Sequence, residues 1–103
     1  MRRSVLEILM DILQIVDHGT HRPTPIMFRA NLTWRRNVNM LRFMEQMGLV
    51  KVEYVTQKKH HKKIVYVRIT PKGKSTLDNL QLVQNEIRGS LQLQRAALPN
   101  FSG

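Results

Sequence analysis

A chain of 103 residues with 42% hydrophobic content has material for one domain around one modest core, which excludes a two-domain arrangement. Without cysteine it has no disulfide framework, no cysteine metal site and no thiol nucleophile, a usage consistent with a reducing cytosol. The formal charge of +10 is local: between Arg29 and Lys74 twelve Lys and Arg stand against only Glu45 and Glu53, and the rest of the chain is balanced. A positive field confined to one segment points to a polyanion. Nucleic acid stands ahead of an anionic membrane, because the segment has the pattern of helix and hairpin, not of an amphipathic surface anchor.

Ser4 to His18 is the first predicted helix. Ser4-Val5-Leu6-Glu7 fits a capping box and Gly19 supplies the stop. Glu7, Asp11, Gln14 and His18 share one face, which leaves Val5, Leu6, Ile8, Leu9, Ile12, Leu13, Ile15 and Val16 as an apolar surface wide enough for two partners. Arg2 and Arg3 precede this stretch, but its acidic residues argue against a signal peptide or a membrane span, so an intracellular, cytoplasmic protein is expected. His18 and His21 flank a glycine turn near Asp17 without a third ligand at a recognisable spacing, and they read as loop residues rather than metal ligands.

Thr24-Pro25 is a favourable cap and first position for a short second helix, Ile26 to Ala30, and Asn31-Leu32-Thr33 makes the turn. Thr33 then caps a longer third helix that Gly48 ends. At about 100° per residue, Arg35, Asn39, Arg42 and Gln46 line one face, while Met40, Leu41, Met44 and Met47 gather opposite. Taken alone, such a face is better read as a solvated surface, and the flanking segments decide otherwise. Two helices joined by a short turn, the second longer and rich in Arg and Asn, form a helix-turn-helix pattern.

Leu49 to Thr56 and Ile64 to Thr70 read as two half-buried strands, in which Val50, Val52 and Tyr54, and Val65, Val67 and Ile69, alternate with the other residues. Between them the tip Gln57 to Lys63 carries Lys58, Lys59, Lys62 and Lys63 around His60 and His61. Four lysines repel one another, so they serve either as solubilising edge charges or as phosphate contacts, and the charge asymmetry favours phosphate. Thr70-Pro71 opens a last helix in which Leu77, Leu80, Gln84, Ile87, Leu91, Gln94 and Leu98 follow heptad spacing. The helix either folds back on its own core or, as Leu82, Val83 and Leu93 favour, buries itself against a second subunit. Residues 99–103 read as a loose tail.

Helix, helix-turn-helix, hairpin and helix together spell a winged helix. The chain resembles the small archaeal winged-helix DNA-binding regulators that dimerise through a carboxy-terminal coiled coil. The resemblance lies in Arg2-Arg3-Ser4, Glu7-Ile8, Asp11-Ile12-Leu13, the run Ile26-Met27-Phe28-Arg29-Ala30-Asn31-Leu32-Thr33, Gly48-Leu49-Val50 and Ile69-Thr70-Pro71-Lys72-Gly73. Two departures stand out: Asn37 occupies an apolar position of the pattern, and the tip from Lys58 to Lys63 is longer and more basic.

The expected fold is therefore α+β: a winged helix-turn-helix of three helices and a two-stranded wing over residues 1–73, then a dimerisation helix over 74–98. The resemblance implies a homodimeric double-stranded DNA-binding protein, either a transcriptional regulator or a nucleoid-associated architectural protein. Arg35 and Asn39 are candidates for base edges, since Arg pairs with guanine and Asn with adenine. Arg29, Arg36, Arg42, Lys58, Lys59, His60, His61, Lys62 and Lys63 are candidates for phosphate. Leu77, Leu80, Gln84, Ile87 and Leu91 are candidates for the dimer seam. Trp34 suits packing and sugar contact equally. No nucleotide loop, carboxylate pair or nucleophile constellation stands out, so no catalysis, cofactor, metal or small-molecule ligand is expected. Two alternatives remain: a basic RNA- or ribosome-associated protein, weakened by few exposed aromatics, and a winged-helix protein-interaction module.

Overall fold

The computed structural model describes residues 3–97, with side chains through Gln94, so Leu98 and the expected tail at 99–103 lie outside the described residues. The elements run α1 (Val5–Asp17), α2 (Pro23–Arg29), α3 (Trp34–Gln46), β1 (Val50–Gln57), β2 (Lys62–Ile69) and α4 (Pro71–Ala97). In α1 the Ser4 hydroxyl accepts from the Glu7 N–H at 3.1 Å, and the Glu7 carboxylate meets that same hydroxyl at 3.3 Å instead of the Ser4 N–H. The capping box is thus closed through one oxygen. Ile8, Leu9, Ile12, Leu13 and Val16 are buried, against α2 on one side and α4 and β2 on the other, while Val5 and Leu6 stay exposed.

The second helix starts earlier than its sequence suggests. Arg22 is the N-cap residue, Pro23 takes the first helical position, and Thr24 and Pro25 fall inside the first turn, with no side-chain cap. Both proline nitrogens then occupy positions whose N–H would lack an intrahelical partner, so neither costs a hydrogen bond. Asn31 in the following turn has φ 56°, a left-handed conformation that asparagine tolerates better than most side chains. The Arg3 guanidinium holds the turn by donating to the carbonyls of Ala30 and Asn31, and it pairs with Asp11 at 2.8 Å.

Helix α3 matches its sequence signals: the Thr33 hydroxyl accepts from the Arg36 N–H at 3.2 Å, and Gly48, at φ 76°, turns the chain out. It buries Met40, Leu41 and Met44 together with Asn37, which is 0% exposed and donates its amide N–H to the Pro23 carbonyl at 3.1 Å. The asparagine Oδ1 has no partner among the described residues. Met47, expected on the inner face, is instead exposed, because it is the C-cap residue beyond the last packed turn.

The wing is one antiparallel hairpin, in register from Val50 opposite Ile69 to Gln57 opposite Lys62. Pairing runs further than expected, so Lys62 and Lys63 belong to β2 and the tip shrinks to Lys58–His61, with His61 at φ 49°. Strand alternation lets the two lysines project to opposite faces, which removes their mutual repulsion as a bar to pairing. Near the base both sheet edges are covered. The Val67 N–H donates to the His21 carbonyl at 2.7 Å, and the Val52 N–H to the Glu45 carboxylate at 3.1 Å.

Thr70-Pro71-Lys72-Gly73 joins wing to core. The Thr70 hydroxyl donates toward the carbonyls of Gly48 (2.5 Å) and Leu49 (3.0 Å) and accepts from the Gly73 N–H at 2.9 Å, capping α4. Pro71 takes the first helical position, and the Lys72 ammonium bonds the Met47 carbonyl at 2.7 Å, at the end of α3. Lys74 reaches Asp17 at 2.8 Å, and that bond raises the lysine pKa above its ordinary value.

Leu77 is 1% exposed and Leu80 packs on the same core, so the first turns of α4 belong to the winged helix itself. Leu77 therefore cannot serve a seam between subunits. Beyond them the helix leaves the domain with Leu82, Val83, Ile87, Leu91 and Leu93 exposed. The radius of gyration, 17.9 Å, exceeds the roughly 13 Å of a compact domain of this size, and the longest extent is 67 Å.

Candidate nucleic-acid interface

Helix α3 presents Arg35, Arg36, Asn39 and Arg42 to solvent, on an element pinned by its own cap, by Met40, Leu41 and Met44 in the core, and by Asn37 against α2. Ion pairs among the described residues take Arg3, Lys51, Arg68 and Lys74 and leave the α3 arginines in water. The basic segment therefore divides. Lys51 and Arg68 pair with Glu53, whose carboxyl the Arg68 guanidinium, bonded at 2.9 Å, holds below its ordinary pKa. Lys72 and Lys74 tie α4 to α3 and α1. What remains for a polyanion is Arg29, Arg35, Arg36, Arg42, Lys58, Lys59, Lys62 and Lys63.

These are not all on one surface. Trp34, Val38, Arg42, Tyr54 and Val65 line a groove of about 260 Å³ between α3 and the wing. A second hollow, about 430 Å³, adjoins it at Trp34 and carries Arg22, Thr24 and Lys63. Alternation along β2 puts Lys63 on the face of Val65, which looks toward α3, and Lys62 on the other. Lys58, Lys59, His60 and His61 form the tip between them. Arg29 lies elsewhere, in a hollow beside Gln14, His18 and Thr20 at the end of α1. The two histidines before α2 engage backbone: the His18 Nδ1 lies 2.6 Å from the Gln14 carbonyl oxygen, and the His21 Nδ1 lies 3.0 Å from that of Val67.

Two features escaped sequence reasoning. Arg22 stands outside the segment that the charge count singled out, and its one signal was a basic residue directly before Pro-Thr-Pro. The aromatics are more exposed than expected, with Phe28 at 71%, Tyr54 at 72% and Trp34 at 55%. Helical and strand periodicity place side chains relative to one element, and neither shows that a wing this long leaves its outer half uncovered.

A helix-turn-helix whose second helix is basic and exposed, followed by a hairpin beside that helix and a return helix, defines a winged helix. A match to the winged helix-turn-helix family spans residues 2–88, and the chain belongs to that family. Solved structures share the fold. A PadR-like transcription factor from Bacteroides fragilis aligns with a TM-score of 0.70 at 18% identity, over 85% of this chain and 89% of that one. The transcriptional regulator BldR from Sulfolobus solfataricus aligns with a TM-score of 0.60 at 24% identity, over 94% of this chain and 63% of that one. A zinc-responsive MarR family member from Lactococcus lactis, ZitR, gives 0.65 at 12% identity, over 94% and 64%. At these identities the likeness is one of fold. In sequence the chain is 36% identical over 50 residues to an uncharacterized protein of Methanocaldococcus jannaschii, a stretch that covers 48% of this chain and 52% of that one. The chain thus spans about half the length of the curated relative that it matches.

Proposed function

We propose that the chain is a double-stranded DNA-binding regulator of transcription that acts as a homodimer in the cytoplasm, on the nucleoid. Helix α3 enters the major groove, Arg35 and Asn39 meet base edges, and Arg36, Arg42 and the wing lysines hold phosphates. The observation that carries this reading is the row of exposed cations and an amide, in no ion pair among the described residues, on the second helix of a helix-turn-helix. Its chemistry is binding, with no catalytic step. If two subunits together neutralise about ten phosphates, the log-log slope of affinity against salt should lie near −9. Titration of matched DNA and RNA duplexes across a salt series tests this, with RNA expected to bind more weakly.

One observation favours the RNA alternative: exposed Phe28, Trp34 and Tyr54 offer stacking faces. RNA binding equal to or tighter than DNA binding would promote it.

The exposed apolar residues on the outer part of α4 support dimerisation there, since a helix standing clear of its domain is marginal in water and gains stability by burying such a face. Ile87→Glu together with Leu91→Glu should give a folded monomer at tens of micromolar, under conditions in which light scattering should find the wild type dimeric. A wild-type monomer, or a double variant that stays dimeric, contradicts the seam. Truncation at Lys74 is a poor test because it removes core Leu77.

A further inference from the structure

We infer that the hollow between Arg22, Thr24, Trp34 and Lys63 is a phosphate-binding site, distinct from the wing tip, that clamps the helix-turn-helix to the wing. Arg22 comes from the entry to α2, Trp34 from the first turn of α3 and Lys63 from β2, so three separate elements converge on one concavity of about 430 Å³. Neither cation takes part in an ion pair or hydrogen bond among the described residues. Two like charges facing one hollow repel, and an anion between them turns that repulsion into attraction.

The wall also selects what kind of anion fits. Guanidinium, ammonium and indole N–H are donors only, and the Thr24 hydroxyl can donate as well. Among the described residues no carboxylate lines the hollow. An anion that only accepts and presents several oxygens matches this set; carboxylate and phosphate both qualify, and a tetrahedral phosphate has oxygens enough to meet donors from three elements at once. Pro23 and Val65, both half-buried, line the same hollow. A phosphate held here fixes α3 against the wing, so the site orients the reading helix as well as adding affinity. The inference rests on the DNA-binding reading for the source of the phosphate, though not for the site itself.

Trp34 is the single tryptophan of the chain and lines this hollow as well as the adjoining groove, so its fluorescence responds to a ligand here and the Arg22 and Lys63 variants assign the response. Pyrophosphate titrated into the full-length protein at constant ionic strength should change the emission saturably, with chloride giving no such change. Arg22→Gln and Lys63→Gln should each abolish that response and leave circular dichroism unaltered. On duplex DNA each should lower the salt slope by about 0.9 per contact, which at 0.15 M salt is on the order of a fivefold loss of affinity per contact. Lys58→Gln should leave the pyrophosphate response intact. Competition between duplex and pyrophosphate identifies the backbone as the source; simultaneous binding identifies a free phosphorylated ligand. A wild-type emission that fails to saturate, or a Lys58→Gln variant that loses the response as fully as Arg22→Gln, overturns the site. A protein that binds pyrophosphate through Arg22 and Lys63 but no duplex keeps the site and refutes the DNA-binding reading.

Discussion

Gly73→Ala should destabilise the protein by about 3 kcal/mol, toward the severe end for overpacking a close-packed contact. A Cβ at that position would stand 2.0 Å from the Leu49 carbonyl oxygen, 2.9 Å from its carbon and 3.0 Å from Ile69 Cγ1. The first two are backbone atoms, and they cannot retreat freely. The Leu49 carbonyl accepts from both the Thr70 N–H at 3.1 Å and the Thr70 hydroxyl, so moving it loosens the junction of β1, β2 and α4 together. Gly89→Ala makes the contrast. A methyl at that position would meet nothing within 4 Å, and alanine in an exposed helix interior gains up to about 1 kcal/mol over glycine. Urea unfolding of the three proteins at one protein concentration separates them, and holding the concentration fixed keeps the comparison valid for the proposed dimer, whose stability would depend on concentration. A Gly73→Ala midpoint equal to wild type would show that α4 does not pack this closely on Leu49.

The same junction shows how far the sequence could be read. Thr70-Pro71 announced a helix start through chemistry local to the chain, as did Ser4 and Thr33, and all three caps form. Lys72 and Lys74 looked like part of the polyanion field, because a charge count cannot tell a lysine bonded to the Met47 carbonyl or to Asp17 from one facing solvent. The partners lie far along the chain, and only the fold brings them near. Leu77 misled for a related reason. Heptad spacing is shared by a helix that packs on its own domain and one that packs on a second subunit, so the change of role after Leu80 leaves no mark in the periodicity. Asn37 is legible as an amide in an apolar position of the pattern, but its partner is not: the Pro23 carbonyl that it meets lies on α2, and only the fold brings the two together.

Reading bases and holding phosphates should come apart under mutation. If Arg35 and Asn39 project from the amino-terminal half of α3 into the major groove, each bidentate base contact is worth about 1 to 3 kcal/mol of discrimination. Arg35→Ala should therefore flatten the preference among sequences. Lys59→Ala at the wing tip should not, since phosphates look alike at every site. It should weaken all duplexes about equally and lower the salt slope by roughly one per contact removed. An architectural protein without sequence preference predicts another pattern, in which Arg35→Ala resembles Lys59→Ala because both remove only phosphate contacts. Selection from random duplexes with wild type and both variants, then titration on the best and a scrambled site, distinguishes the two. If wild type enriches no sequence, base reading by Arg35 fails and the architectural reading stands. If Lys59→Ala alone changes the preferred sequence, the division of labour between α3 and the wing is the reverse of the one proposed.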